Sequence, residues 1–253
     1  RNLMSINYIP IMNSKWYSAL IKNLSILLIF SCFSFANAQI ASWTYEPLSG
    51  TDTNPTPNVG SGSSSVVNLG GGTIGSTGNY QATGMSGTGC GTQNGSNAWA
   101  LNPFDPGSTN EKNGAQYNVS TVGNQNILVT WDQRFSNTSP NTVRLQYTTD
   151  GTTWTNFVMT TSNTTYCSGS SINTNGCFET NAGDVYRRIT VDMSAITAIN
   201  NNANFGIRMV AAYYQSTGQF RQSATPASTA GTTGTWRFDN VTISGQTPPT
   251  ASV

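Results

Sequence analysis

NILVTWDQRFSNTSPNTVRLQYTTDGTTWTNF, residues 126–157, decides how the rest of the chain is read. Ile127, Val129, Trp131 and Phe135 alternate with Leu128, Thr130, Asp132 and Arg134. Val143, Leu145 and Tyr147 alternate with Arg144, Gln146 and Thr148. Successive side chains of a strand point to opposite faces, so this period of two predicts strands with one face toward a core. Asp150-Gly151, set between Tyr147 and Trp154, predicts a tight hairpin turn.

Outward from this stretch the pattern recurs. Phe205, Ile207, Met209 and Ala211 alternate with Asn204, Gly206, Arg208 and Val210. Helix-like spacing occurs only at Met193, Ile196 and Ile199, where a short helical turn is expected. The last strand, TWRFDNVTI at 235–243, carries a conflict: Trp236 and Phe238 have one parity, Val241 and Ile243 the other. One extra residue near Asp239-Asn240 brings both pairs to the core, which predicts a β-bulge; a strand covered on both faces is the alternative. Residues 47–80 are rich in Gly, Ser, Thr, Asn and Pro and read as loops with short strands between. The expectation is an all-β fold, an antiparallel β-sandwich of jelly-roll type. Its core is expected from Trp43, Trp131, Phe135, Val143, Leu145, Tyr147, Ile189, Phe205, Ile207, Met209, Trp236 and Phe238.

Lys15 and Lys22 precede an apolar run, LSILLIFSCFSF at 24–35, and Ala36-Asn37-Ala38 follows with small residues at the cleavage spacing. Residues 1–38 therefore read as a signal-peptide helix, and the chain as secreted or on the cell surface. Twelve apolar residues fall short of the roughly 20 that span a bilayer, and no later segment is apolar enough. Residues 39–245 are expected to form one sandwich module. Residues 246–253, QTPPTASV, read as the start of a linker to a further, covalently attached domain.

Charge and composition exclude several classes. The chain has 11 basic and 10 acidic residues. Without Arg1, Lys15 and Lys22 the balance becomes eight against ten, with no basic stripe for nucleic acid. No histidine occurs in the 253 residues, which removes Ser-His-Asp and Cys-His nucleophilic sites and imidazole-bound zinc. Glu46, Glu111 and Glu179 are scattered and form no paired-carboxylate motif. The module is read as non-catalytic. Cys167 and Cys177 flank a Ser/Asn/Gly loop, and an exported chain meets oxidants, so a Cys167–Cys177 disulfide is expected; Cys90 is then left over, and three unpaired thiols are the alternative.

The blocks SWTYE (42–46), the stretch 126–157, ITVDMSAITAINNNANFGIRMVAA (189–212) and GTWRFDNVTISG (234–245) carry a resemblance. Their order resembles an all-β module near the N-terminus of large secreted bacterial surface proteins, similar to carbohydrate-binding-module-like jelly rolls. The resemblance covers most of the chain after the leader and brings no catalytic motif. It implies a structural Ca²⁺ where first and last strands meet. Glu46 ends the first strand and Asp239 sits in the expected bulge, so these two are the expected metal ligands. The alternative is that Asp239 pairs with Arg237 or Arg208, or caps a turn. For sugar binding, the segment YYQSTGQFR (213–221) offers aromatic and planar polar side chains. Tyr214, Phe220 and Arg221 are the expected ligand contacts, because adjacent tyrosines in a strand face opposite ways and one of them leaves the core. The expected partner is an extracellular glycan; the alternatives are a structural or adhesive spacer and the non-catalytic part of a larger secreted hydrolase.

Overall fold

The computed structural model describes residues 37–46, 50–51, 53–69, 71–74, 97–102, 104, 109–215 and 217–248. The expected leader up to residue 36, Cys90 and the linker residues 249–253 lie outside them. In chain order the strands are β1 (Ala38–Trp43), β2 (Gly50–Thr51), β3 (Val59–Gly60), β4 (Ser63–Val67), β5 (Gly71–Ile74) and β6 (Trp99–Asn102). Then come β7 (Gly114–Asn118), β8 (Gln125–Phe135), β9 (Thr142–Thr148), β10 (Thr155–Asn156) and β11 (Thr164–Tyr166). The series ends with β12 (Ser170–Ile172), β13 (Phe178–Thr180), β14 (Tyr186–Asp192), β15 (Gly206–Ala211) and β16 (Trp236–Gln246). A single 3₁₀ turn, Thr197–Ile199, follows β14, at the place where helix-like spacing was read.

Two antiparallel sheets make a sandwich. The first runs β11-β14-β8-β16-β6-β5-β2, with β1 also on β16 and β3 on β1. The second runs β12-β13-β9-β15-β7-β4, with β10 on β9. Alternation places Ile127, Val129, Trp131 and Phe135 of β8 inward with no exposure. Across the core, Leu145 of β9 lies opposite Met209 of β15, and Val143 opposite Ala211. Trp43 meets Tyr117 edge-on at 4.9 Å, and Phe104 meets Trp236 at 4.6 Å. Of the expected core residues only Tyr147 is half-buried, packed against the cluster from its rim. The Asp150-Gly151 turn joins β9 to β10; Gly151 takes φ +79°, and the Asp150 carboxylate accepts the Thr152 and Thr153 amides.

The bulge in the last strand is present. Asp239 of β16 pairs with Asp132 of β8, and the next pair is Thr242 with Thr130. Three steps on β16 thus match two on β8. Asn240 absorbs the extra residue with φ +48°, a left-handed conformation that Asn tolerates better than most residues. Trp236, Phe238, Val241 and Ile243 all reach the core fully buried.

The expected Cys167–Cys177 bridge is not formed. Cys177 is a buried free thiol. It precedes Phe178, which faces the core, so strand alternation turns Cys177 to the outer face. Cys167 is disulfide-bonded, to a cysteine outside the described residues. Among the described residues no helix is long and apolar enough to cross a membrane.

Candidate functional site

After β15 the chain turns at 214–219, closed by Tyr214 N–H donating to the Gln219 carbonyl (3.0 Å) and Thr217 N–H to the Tyr214 carbonyl (3.1 Å). This hairpin separates the three expected ligand residues. Phe220 is 1% exposed and stands edge-on to Tyr213 at 4.8 Å. The expectation of an exposed Phe220 platform is therefore corrected: the turn folds its ring back under Tyr213 into the core. Arg221 is committed to its own loop. It donates to the Ala227 carbonyl at 3.0 Å and bridges Thr229 through the backbone. It staples 221–229 shut and is not the free ligand contact that was expected. Tyr214, past the end of β15, is half-buried and walls a groove.

That groove has a volume of about 250 Å³ and is lined by Tyr214, Ser171, Glu179, Thr180, Asn181 and Pro226. A second hollow of about 420 Å³ shares Ser171, Glu179 and Gln215 with it and continues along Asn173. Glu179 sits where the two meet. It is 5% exposed, and its Oε1 accepts Asn173 Nδ2–H at 2.6 Å and the Gln215 amide at 3.4 Å. A carboxylate oriented by two donors beside a phenol can take sugar hydroxyls as an acceptor.

The outer face of the second sheet continues from there as a network of planar polar groups. Glu111, in a turn at φ +59°, accepts Arg144 Nε–H at 3.0 Å and Asn156 Nδ2–H at 2.8 Å. Arg144 also donates to the carbonyls of Asn175 and Gly176. Gln146 donates to Asn156 at 2.9 Å. Arg208 donates to Gln116 at 2.7 Å, and Gln116 to Asn118 at 3.1 Å. Sequence alternation had placed Arg144, Gln146 and Arg208 outward. Nothing in it aligned three strands separated by up to 92 residues.

The expected metal ligands lie at a strand exchange. β1 pairs with β16 along 241–245, and β6 pairs with the same edge along 236–238. The bulge at Asp239-Asn240 falls at their junction. Glu46, just beyond β1, accepts the Asn97 amide at 2.6 Å and Asn97 Nδ2–H at 3.1 Å, which ties the two strand ends together. Asp239 is 1% exposed; its Oδ1 accepts the Asn240 amide at 2.7 Å, and its Oδ2 is buried without a hydrogen-bond partner. Burial, opposed in part by the Asn240 amide, pushes the Asp239 carboxyl up to about 8, and Asp132 and Glu46 nearby push the same way. The expected alternative, Asp239 paired with Arg237 or Arg208, does not occur, since its Oδ2 is unpartnered and its Oδ1 is taken by the Asn240 amide; nearby Arg188 is held by Asp132 at 2.6 and 2.8 Å. An orphaned, buried carboxylate oxygen close to a second acid fits a hard cation. Two carboxylates are few, and among the described residues no three acidic, Cys or His groups form a metal-holding set; the remaining oxygens of a six-to-eight-fold shell have to be carbonyls and water.

No family model and no curated protein matches this chain. Two solved structures are similar in part. One is the CBM22-1–GH10 module structure of Clostridium thermocellum xylanase 10B, complexed with xylohexaose: TM-score 0.43, 11% identity, 86% of this chain covered. The chain spans only 30% of that protein. The other is a Bacteroides thetaiotaomicron VPI-5482 protein classed as a sugar binder: TM-score 0.36, 13% identity, 83% of this chain and 100% of that one. Both scores lie below one half, and neither likeness carries an argument about function.

Proposed function

We propose that this chain is a non-catalytic glycan-binding module of a secreted or cell-surface protein. The observation that carries the reading is the outer face of the second sheet. There amides, guanidinium groups and carboxylates are held by one another in a row that ends at the Tyr214–Glu179 groove. Sugars present paired hydroxyls and apolar ring faces. Pre-oriented planar donors and acceptors beside a half-exposed aromatic match both features. No rotamer entropy has to be spent at binding where the side chains are already fixed.

A structural Ca²⁺ held by Glu46 and Asp239 accompanies this reading. Bound there, the ion supplies positive charge at the junction of β1, β6 and β16 and locks the first and last strands together. It would lie on the first sheet, away from the polar face of the second, and so act on stability before binding. A spacer without a ligand is the competing reading, favoured by the burial of Phe220 and the stapling of Arg221.

The test is a glycan-array screen of the full chain with Ca²⁺ and then with chelator. Saturable binding that weakens in Tyr214→Ala supports the module reading. An array blank under both conditions leaves the spacer.

A further inference from the structure

We propose that Arg208 is an anion-recognition point for a carboxylate-bearing sugar, a uronic acid unit, on the outer face of the second sheet; this rests on the glycan-binding reading above. The strand register builds the point. Arg208 of β15 lies opposite Gln146 of β9 on one side and Gln116 of β7 on the other. Gln116 lies opposite Ser65 of β4, and Gln146 opposite Asn156 of β10. Five neighbouring strands thus set Asn156, Gln146, Arg208, Gln116 and Ser65 in one line, with the guanidinium at the centre.

The guanidinium is held, and its charge is not answered. Its Cζ stands 3.9 Å over the Trp154 ring, an arrangement that suits a planar cation. Trp154 in turn lies against Gly206, where a Cβ would come within 3.2 Å of the indole and 2.5 Å of Asn118 Oδ1, so glycine lets the ring pack closely there. Nε–H is used by Gln116. The two terminal NH₂ groups have no acceptor among the described residues. Ion pairs there include Arg134–Asp184, Arg144–Glu111 and Arg188–Asp132. Each gives its arginine a carboxylate; Arg208 has none. Burial lowers its pKa with no acid nearby to offset the shift. Arg208 is half-buried, and its terminal nitrogens are not among the buried unpartnered atoms, so the open fork faces solvent where a ligand can reach it.

A planar fork fits a planar carboxylate with two parallel hydrogen bonds. The surrounding groups suit the rest of a sugar: Gln116, Asn118 and Asn156 offer amides on either side. Beside Asn118 a hollow of about 380 Å³ opens, lined also by Ser63, Gly151 and Asn204. A sulfate ester carries the same sign of charge but a tetrahedral shape, so the two sources are separable.

The experiment is a binding titration of the full chain against polygalacturonate, its methyl-esterified form, dextran sulfate and neutral xylan. The same series is run on Arg208→Gln and Arg208→Lys, with melting curves recorded for each variant. The expected result is preference for polygalacturonate over its ester, at least tenfold weaker binding in Arg208→Gln, and an intermediate loss in Arg208→Lys, which keeps the charge and loses the fork. Any neutral-xylan binding is expected to weaken less in Arg208→Gln than polygalacturonate binding does. Equal polygalacturonate binding by the parent and Arg208→Gln overturns the proposal, as does preference for the ester or for dextran sulfate. Binding of neutral xylan alone overturns it while leaving the glycan-binding reading; binding of none overturns both.

Discussion

Asp132 and Asp239 stand opposite one another on β8 and β16, and a single arginine serves only the first of them. Asp132 takes both Arg188 contacts and the Asn240 side-chain amide at 2.8 Å. Asp239 is left with one backbone donor and an unmatched buried oxygen. The pair sets up the first prediction.

In metal-free protein the folded-state pKa of Asp239, about 8, is raised far above its ordinary 3.8. The folded state then holds a proton that the unfolded state releases. This group's contribution to stability is complete below about pH 4 and declines as pH rises toward 8, by up to about 1.4 kcal/mol per pH unit. Ca²⁺ must displace that proton, so its affinity should strengthen as pH rises through the same window. Thermal melts in chelator and in Ca²⁺ check this. The expected outcome is an upward shift with Ca²⁺ that is larger at pH 8 than at pH 5 and absent in Asp239→Asn. A melting temperature indifferent to Ca²⁺ at both pH values removes the metal.

Tyr214 and Phe220 should part company on mutation. Phe220→Ala removes a fully buried ring, with an expected loss of about 3–5 kcal/mol of stability. Tyr214→Ala touches a half-exposed groove wall, so its stability should change by less than about 1 kcal/mol while glycan affinity falls. Denaturant titration and array binding on the same two variants separate the roles. Equal stability losses would contradict the assigned burial.

The bulge can be tested by its register. Deleting Asn240 removes the extra residue, so β16 runs in plain alternation, with Thr242 still opposite Thr130 and Val241 and Ile243 still inward; in a strand without a bulge the same deletion would turn both to the outer face. Retained cooperative unfolding in circular dichroism is the expected result, and its loss would contradict the bulge. Asn240→Gly keeps the positive φ and gives up the side-chain bond to Asp132, so it should fold with a loss of about 1 kcal/mol. Asn240→Val, β-branched at positive φ, should lose more.

Burial pushes the Cys177 thiol up to about 12. It therefore stays protonated in the native protein at pH 8 and should resist alkylation until the chain unfolds. Peptide mapping without reduction should recover Cys177 as a free thiol. A Cys167–Cys177 peptide in that map would contradict the structure.

Much of the framework was legible along the chain. Strict alternation in 127–135, 143–148 and 205–211 stated both the strands and their inner faces. The parity conflict in 236–243 located the bulge, because only an inserted residue lets two apolar pairs share one side. The binding face was less legible. Arg208 and Gln146 were visible as outward positions, yet their alignment with Gln116 depends on which strands become neighbours, a fact set by the whole sheet. Phe220 was misread because the turn at 214–219 lies in polar sequence and returns its ring beneath Tyr213. Cys167 and Cys177 were misread for a related reason: Cys177, just before β13, is buried as a free thiol, and closeness along the chain did not become pairing in space.

Strand β16 has a consequence for how the molecule is made. It ends the described chain, yet it lies inside the first sheet, with β8 on one edge and β1 and β6 on the other. The first residues of the sandwich therefore wait for the last. Until residues 236–246 have left the ribosome, β1 has no partner but β3, and β8 shows an open edge. The module must complete in one late, long-range step. The sandwich closes only once its final strand arrives.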